Sequence, residues 1–237
     1  MMDSRLKRKA RKEAANKDLT GRLVSVTNPS GGAAEAYRGL RTNLLYAVID
    51  EPLRVVLVSS PGIAEGKSTT CANLAAVLAQ AENNTLLMDC DFRRPTQHRI
   101  FGMRNFQGSV NVLAGESDLQ GAVQETSVPN LKLLTVGSVP PNPAELLGSR
   151  RFADLMKQVR QQFDYVVLDA PPIQLVSDAA ILATHADGTL LVLDAQRTRK
   201  ASLREAVHSL QTVGASVLGT IVNNVDTPES YYPSSYT

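Results

Sequence analysis

Arg54-Val55-Val56-Leu57-Val58-Ser59-Ser60-Pro61-Gly62-Ile63-Ala64-Glu65-Gly66-Lys67-Ser68-Thr69-Thr70 passes from an apolar β-branched run, through small residues, into Gly-Lys-Ser-Thr. The first part, Arg54–Ser59, reads as a buried strand, and Thr69–Ala81 reads as a helix. A small-residue loop between them lets backbone N–H groups wrap an anion at a helix N-terminus, where the helix dipole favours negative charge. In such a loop Lys67 neutralises β- and γ-phosphate charge, and the Ser68 hydroxyl ligates magnesium. Gly62, Ile63, Ala64, Glu65, Gly66, Lys67, Ser68 and Thr69 are therefore the candidate phosphate-binding residues. Pro61 stands where the strict G-x-x-x-x-G-K-[ST] pattern has its first glycine, so the reading depends on what surrounds the loop.

Outward from this stretch, β-branched runs alternate with helical ones. Thr85–Asp89, Leu131–Val136, Tyr165–Asp169, Thr189–Asp194 and Ser216–Asn223 are predicted strands. Ala33–Asp50, Pro143–Phe163, Asp178–His185 and Lys200–Val213 are predicted helices. Continuous apolar runs such as Leu86-Leu87-Met88 and Val166-Val167-Leu168 imply burial on both sheet faces. The alternation predicts a three-layer α/β domain with a mostly parallel central sheet. It spans 23–225, between a basic tail at 1–22 and a tyrosine-containing tail at 226–237.

Two strands end on acid. Leu86-Leu87-Met88-Asp89-Cys90-Asp91-Phe92-Arg93-Arg94 and Val166-Val167-Leu168-Asp169-Ala170-Pro171-Pro172 both place a carboxylate where α/β sheets bind ligands. Magnesium needs only one or two such carboxylates beside nucleotide oxygens, which makes Ser68, Asp89 and Asp169 the candidate metal residues. Arg93 and Arg94 face either phosphate or solvent. Ser177-Asp178 reads as a helix cap. His98, His185 and His208 show no ligand spacing.

Composition limits the alternatives. The 237 residues carry 25 Lys+Arg against 23 Asp+Glu, a net charge of +2, which disfavours a nucleic-acid binder and excludes an acidic disordered chain. Eight of the basic residues lie within 1–22, against three acidic ones, so the body is slightly acidic. Two cysteines, Cys71 and Cys90, are too few and too far apart for a disulfide scaffold and read as small buried residues. No apolar run approaches the roughly 20 residues that span a bilayer, and no secretory h-region follows the basic N-terminus, so the expected location is cytoplasmic. Of six tyrosines, Tyr231, Tyr232 and Tyr236 crowd the last seven positions.

With these motifs in view, the sequence resembles the bacterial tyrosine kinases that accompany polysaccharide assembly. Pro61–Thr69 looks like that family's phosphate loop, Asp89–Arg93 its D-x-D-x-R segment, and Val166–Pro172 its hydrophobic-D-[AST]-P-P segment. Pro140–Leu147 also resembles a family stretch, and Glu35-x-x-Arg38-x-x-Arg41 resembles its ring-forming helix. The resemblance implies a P-loop NTPase fold similar to MinD/ParA-type ATPases, although their signature lysine falls on Gly62 here. Ala64 stands where many relatives have glycine. It also implies ATP and Mg2+ as cofactors, with Lys67 and Ser68 on phosphate and metal and Arg93 in the catalytic set. Asp89, or Asp91 as its rival, would act as the base, and Asn223 would contact the nucleotide base. The acceptors would be Tyr231, Tyr232 and Tyr236, offered to a neighbouring subunit of a homo-oligomeric ring. A membrane-embedded polysaccharide co-polymerase on a separate chain would activate the kinase and hold it at the inner face of the membrane. Two other readings are a nucleotide-dependent ATPase switch or scaffold of the MinD/ParA type, without kinase activity, and a DNA-segregation ATPase.

Overall fold

Alternate residues of the first core strand feed two different cores. Val55 and Leu57 pack into one cluster, Val56 and Val58 into the other. This is the period-two consequence of a strand buried on both faces. The computed structural model describes residues 19–47 and 53–225. The end of the predicted helix Ala33–Asp50, most of the basic tail and the tail tyrosines Tyr231, Tyr232 and Tyr236 lie outside the described residues.

Seven strands form one sheet: β1 (Val55–Ser59), β2 (Thr85–Asp89), β3 (Val123–Glu125), β4 (Leu131–Leu134), β5 (Tyr165–Asp169), β6 (Gly188–Asp194) and β7 (Val217–Asn223). Their order is β3-β4-β2-β5-β1-β6-β7, and every pairing is parallel except the short β3–β4 ladder. The helices are α1 (Val24–Thr27), α2 (Gly32–Ala47), α3 (Lys67–Ala79), α4 (Gln97–Ile100), α5 (Ser109–Ala114), α6 (Leu119–Ala122), α7 (Pro143–Leu147), α8 (Arg150–Gln162), α9 (Asp178–Ala183) and α10 (Lys200–Thr212). The expected three-layer α/β architecture is present.

Helix α3 is buried all round, from Thr70 to Ala79. The sheet covers one side and α1 and α2 cover the other, and its alanines at 72, 75, 76 and 79 allow that close approach. Sequestering Leu74 and Leu78 contributes roughly 1.5–3 kcal/mol each. α3 is therefore a fixed platform for the loop that precedes it.

Three sequence expectations change. The single predicted helix Pro143–Phe163 is two helices, because Gly148 ends α7 and Ser149 caps α8 by accepting a hydrogen bond from the Phe152 N–H at 3.2 Å. Ser177 makes no side-chain cap bond at α9. Thr20–Arg22, expected to be part of the basic tail, form a 3-10 turn, and the Arg22 carbonyl accepts from Asn73 of α3 at 2.9 Å.

Candidate active site

Strand register brings the acidic residues together. β2 and β5 are neighbours with Asp89 opposite Asp169, so both carboxylates leave the same edge of the sheet on the same face. β1 lies on the other side of β5 and delivers the phosphate loop to that edge. From β1 the chain runs one way to β2, and from β5 it runs the other way to β6, which opens a crevice over these strand ends.

The loop is held by its own side chains. Glu65 is buried and folds back, its Oε2 accepting from the Gly62 N–H at 2.7 Å and its Oε1 from the Thr198 hydroxyl. Asn223, at the end of β7, donates from Nδ2 to the Glu65 carbonyl at 3.0 Å. Gly66 has φ +95°, and the Asn223 amide occupies the space a Cβ would need, so only glycine fits there. Ala64 also adopts a left-handed conformation, φ +60°, which costs a non-glycine residue roughly 1–2 kcal/mol. Gly66 gives α3 no side-chain cap, so the first amides of the helix face the crevice with the positive end of the dipole.

Lys67 is the electrostatic centre. Its Nζ lies 3.1 Å from Asp91 Oδ2, 3.2 Å from Asp169 Oδ1 and 3.1 Å from Ser68 Oγ. Burial alone would lower its pKa, but Asp169 and then Asp91 more than reverse that, holding it above the usual lysine range. Asp89 sits beneath. Its Oδ2 accepts from the Thr96 and Gln97 amides at 2.8 and 2.9 Å, and its Oδ1 from the Asp91 amide at 3.2 Å. Burial first and Asp169 second push Asp89 up to about 8, against the opposing effect of those amides. A divalent cation beside the pair acts in the opposite direction.

A cavity of about 210 Å³ opens over the loop, and Lys67, Ser68, Thr69 and Asp91 form part of its wall. Arg22 and Arg94 also line it; the sequence left Arg94 between phosphate and solvent and gave Arg22 to the basic tail. Arg93 turns away and forks onto the fully buried Asp178, with Nε to Oδ2 at 2.9 Å and Nη2 to Oδ1 at 3.0 Å. Gln97 was also missed. Its side chain bridges Asp169 and the Ser68 carbonyl, a contact across 72 residues of sequence that no local pattern signals.

The oxygens of Ser68 and Asp169, gathered around one ammonium with Asp89 beneath, suit a hard divalent cation that keeps waters and shares phosphate oxygens. Cys71 and Cys90 are buried beside the carboxylates, and burial pushes both thiols up, which makes them inert.

Among the ring-motif residues, Glu35 and Arg38 pair with each other at 2.6 Å on an exposed face of α2. Arg41 turns inward and donates to the Val77 carbonyl at 3.0 Å, satisfying the last turn of α3. Each step of three residues rotates the helix by about −60°, so the third residue of the motif has left the face of the first.

A family model described as an AAA domain matches residues 53–221. The putative tyrosine-protein kinase CapB of Staphylococcus aureus is 35% identical over 221 residues, covering 92% of this chain and 97% of that protein. The tyrosine-protein kinase YwqD of Bacillus subtilis (strain 168) is 40% identical over 201 residues, 85% of each chain. The crystal structure of the chimerical protein CapA2B2 superposes with a TM-score of 0.84 at 32% identity, covering 87% of this chain and 91% of that one. With an AAA domain across its core and relatives matched nearly end to end, this chain belongs to the bacterial tyrosine-protein kinases.

Proposed function

We propose that the chain transfers the γ-phosphoryl group of ATP, with Mg2+, to Tyr231, Tyr232 and Tyr236 of a neighbouring copy. The observation that carries this reading is Lys67, set at the N-terminus of α3 inside a backbone-lined loop and bracketed by Asp91 and Asp169. Phosphoryl transfer asks the protein chiefly for positioning and charge neutralisation.

Lys67, Arg22 and Arg94 bind the phosphate oxygens, and the loop amides orient them. Ser68 and Asp169 hold the cation, with Asp89 supporting them from beneath; the cation when bound supplies charge neutralisation at the transferred group. Tyrosine has a pKa of about 10, so its hydroxyl needs an acceptor for its proton at neutral pH. The Asp89/Asp91 pair fills that role, with Asp91 on the cavity wall and Asp89 behind it. Asn223 holds the loop and borders the nucleotide. Arg93 acts at one remove, by anchoring the segment that carries both acids to α9 through Asp178.

Copies associate through the exposed Glu35–Arg38 face of α2, forming the ring. A membrane-embedded polysaccharide co-polymerase on a separate chain activates the kinase and holds it at the cytoplasmic face. No helix among the described residues is long and apolar enough to cross a membrane.

Incubating the purified chain with labelled ATP, alone and with the cytoplasmic segment of such a partner, tests the proposal. Incorporated phosphate is expected, and it disappears when the three tail tyrosines are changed to Phe. ATP hydrolysis without incorporation under either condition would overturn the kinase reading and leave the nucleotide switch.

A further inference from the structure

Gln97 joins three parts of the site. Its backbone N–H donates to Asp89 Oδ2 at 2.9 Å, and its side-chain Nε2 donates to Asp169 Oδ2 at 2.7 Å and to the Ser68 carbonyl at 2.9 Å. A carbonyl offers only an acceptor and an ionised carboxylate only acceptors, so turning the amide over would break both side-chain bonds. That orientation leaves Oε1 buried without a partner in a residue that is itself fully buried. An acceptor left in that condition carries a desolvation cost that Met or Leu of the same volume would not.

Asp169 divides its two oxygens between two partners, Oδ1 to Lys67 and Oδ2 to Gln97. The division matters once Lys67 turns to a phosphate, because Oδ1 then loses its partner while Oδ2 keeps one. Gln97 is also bonded to the backbone of Ser68, so it fixes the spacing between a metal carboxylate and the turn that carries the metal hydroxyl. We propose that Gln97 is a positioning residue for magnesium. It holds Asp169 through Oδ2, so that Oδ1 would be available to the cation when Lys67 turns to a phosphate.

This rests on the ATP and magnesium reading above, and the experiment separates the two. Mg2+ is titrated into the full-length chain saturated with a non-hydrolysable ATP analogue, reading heat and thermal unfolding. Gln97→Met should weaken Mg2+ affinity 10- to 100-fold, the usual loss when a partner of a metal ligand is removed. Affinity for the analogue in EDTA should stay unchanged. In an Asp169→Asn background the same substitution should add little, because Gln97 acts through Asp169. If Gln97→Met does not fold, Gln97→Asn keeps the amide but is one methylene too short to reach Asp169 and the Ser68 carbonyl, and the same loss is expected. A variant that is less stable yet binds Mg2+ as tightly as the parent overturns the proposal and leaves Gln97 a tie between α4 and α3. A parent chain that shows no Mg2+ dependence at all overturns the function reading itself.

Discussion

Replacing Lys67 with Met tests the electrostatic design of the site without any catalytic readout. The ammonium is 12% exposed and is shared by Asp91, 8% exposed, and Asp169, fully buried. Removing one partner of a buried ion pair typically costs about 3–5 kcal/mol, since the remaining charge stays desolvated. Here one substitution strands two carboxylates, but Asp91 borders the cavity and can recruit water, so the low end of about 3 kcal/mol applies. For a domain of this size each kcal/mol shifts Tm by about 2–4 °C, which predicts a fall of about 6–12 °C. The assay is thermal unfolding in EDTA and again in millimolar Mg2+, without nucleotide. Mg2+ should raise the Tm of Lys67→Met more than that of the parent, because the cation then meets carboxylates that no ammonium occupies. Adding Asp169→Asn to the variant should recover part of the loss by removing one stranded charge. A fall under 2 °C, or an equal Mg2+ response in both proteins, would refute the claim that Lys67 neutralises this pair in the resting fold.

Two more outcomes follow from other parts of the molecule. Gly66→Ala should cost roughly 1–2 kcal/mol from its left-handed backbone and displace the Asn223 amide, weakening binding of a fluorescent ATP analogue. Unchanged affinity and unchanged stability together would show that the loop is not locked by that contact. Asp187 accepts from the Val55 and Arg54 amides at 2.8 and 2.9 Å and from Arg160 at 2.7 Å. Burial alone would raise its pKa, but Arg160 and the two amides outweigh it and hold the carboxyl below its ordinary value. Its folded pKa lies beneath the unfolded one of about 3.9, so its stabilisation is complete above that pH and disappears as pH falls through the folded value. Asp187→Asn should therefore lose about 1 kcal/mol in urea titrations at pH 7, discounted for partial exposure, with the gap to the parent closing below about pH 4. A gap that persists undiminished at pH 2 would assign the loss to packing instead.

The parts of this site that could be read from sequence are those written locally. Val55–Val58 and Val166–Leu168 announce buried parallel strands through continuous apolar character, and Asp89 and Asp169 each announce a strand end. Their adjacency needed the sheet order, which places β5 between β1 and β2 and sets the two acids in register. Gln97, Arg22 and the Arg93–Asp178 fork were invisible for a physical reason. Each depends on a partner tens of residues away, and nothing in its own neighbourhood departs from an ordinary polar loop. Which of two successive arginines reaches the cavity is settled by the turn after β2. There the Arg94 N–H donates to Asp91 at 3.0 Å while Asp89 collects the amides of Thr96 and Gln97. The break at Gly148-Ser149 and the three-residue β3 lie below the length at which periodicity discriminates, and the inward turn of Arg41 follows from helical drift that a three-residue spacing conceals.

On the proposed ATP and Mg2+ reading, the geometry also links the two ligands to each other. In the resting fold Lys67 compensates Asp91 and Asp169, so a phosphate chain that draws the ammonium away uncovers two desolvated carboxylates. That cost opposes nucleotide binding on its own. A divalent cation arriving with the phosphates removes the cost, because it neutralises the same acids that Lys67 releases. Each ligand therefore improves the site for the other, and by linkage the two coupling free energies must be equal. Gln97 keeps Asp169 in place during that exchange, and the buried Glu65 keeps the loop closed while its lysine changes partner. A single ammonium shared by two acids thus satisfies the resting site and, on the proposed reading, would favour a metal–nucleotide pair over either component alone.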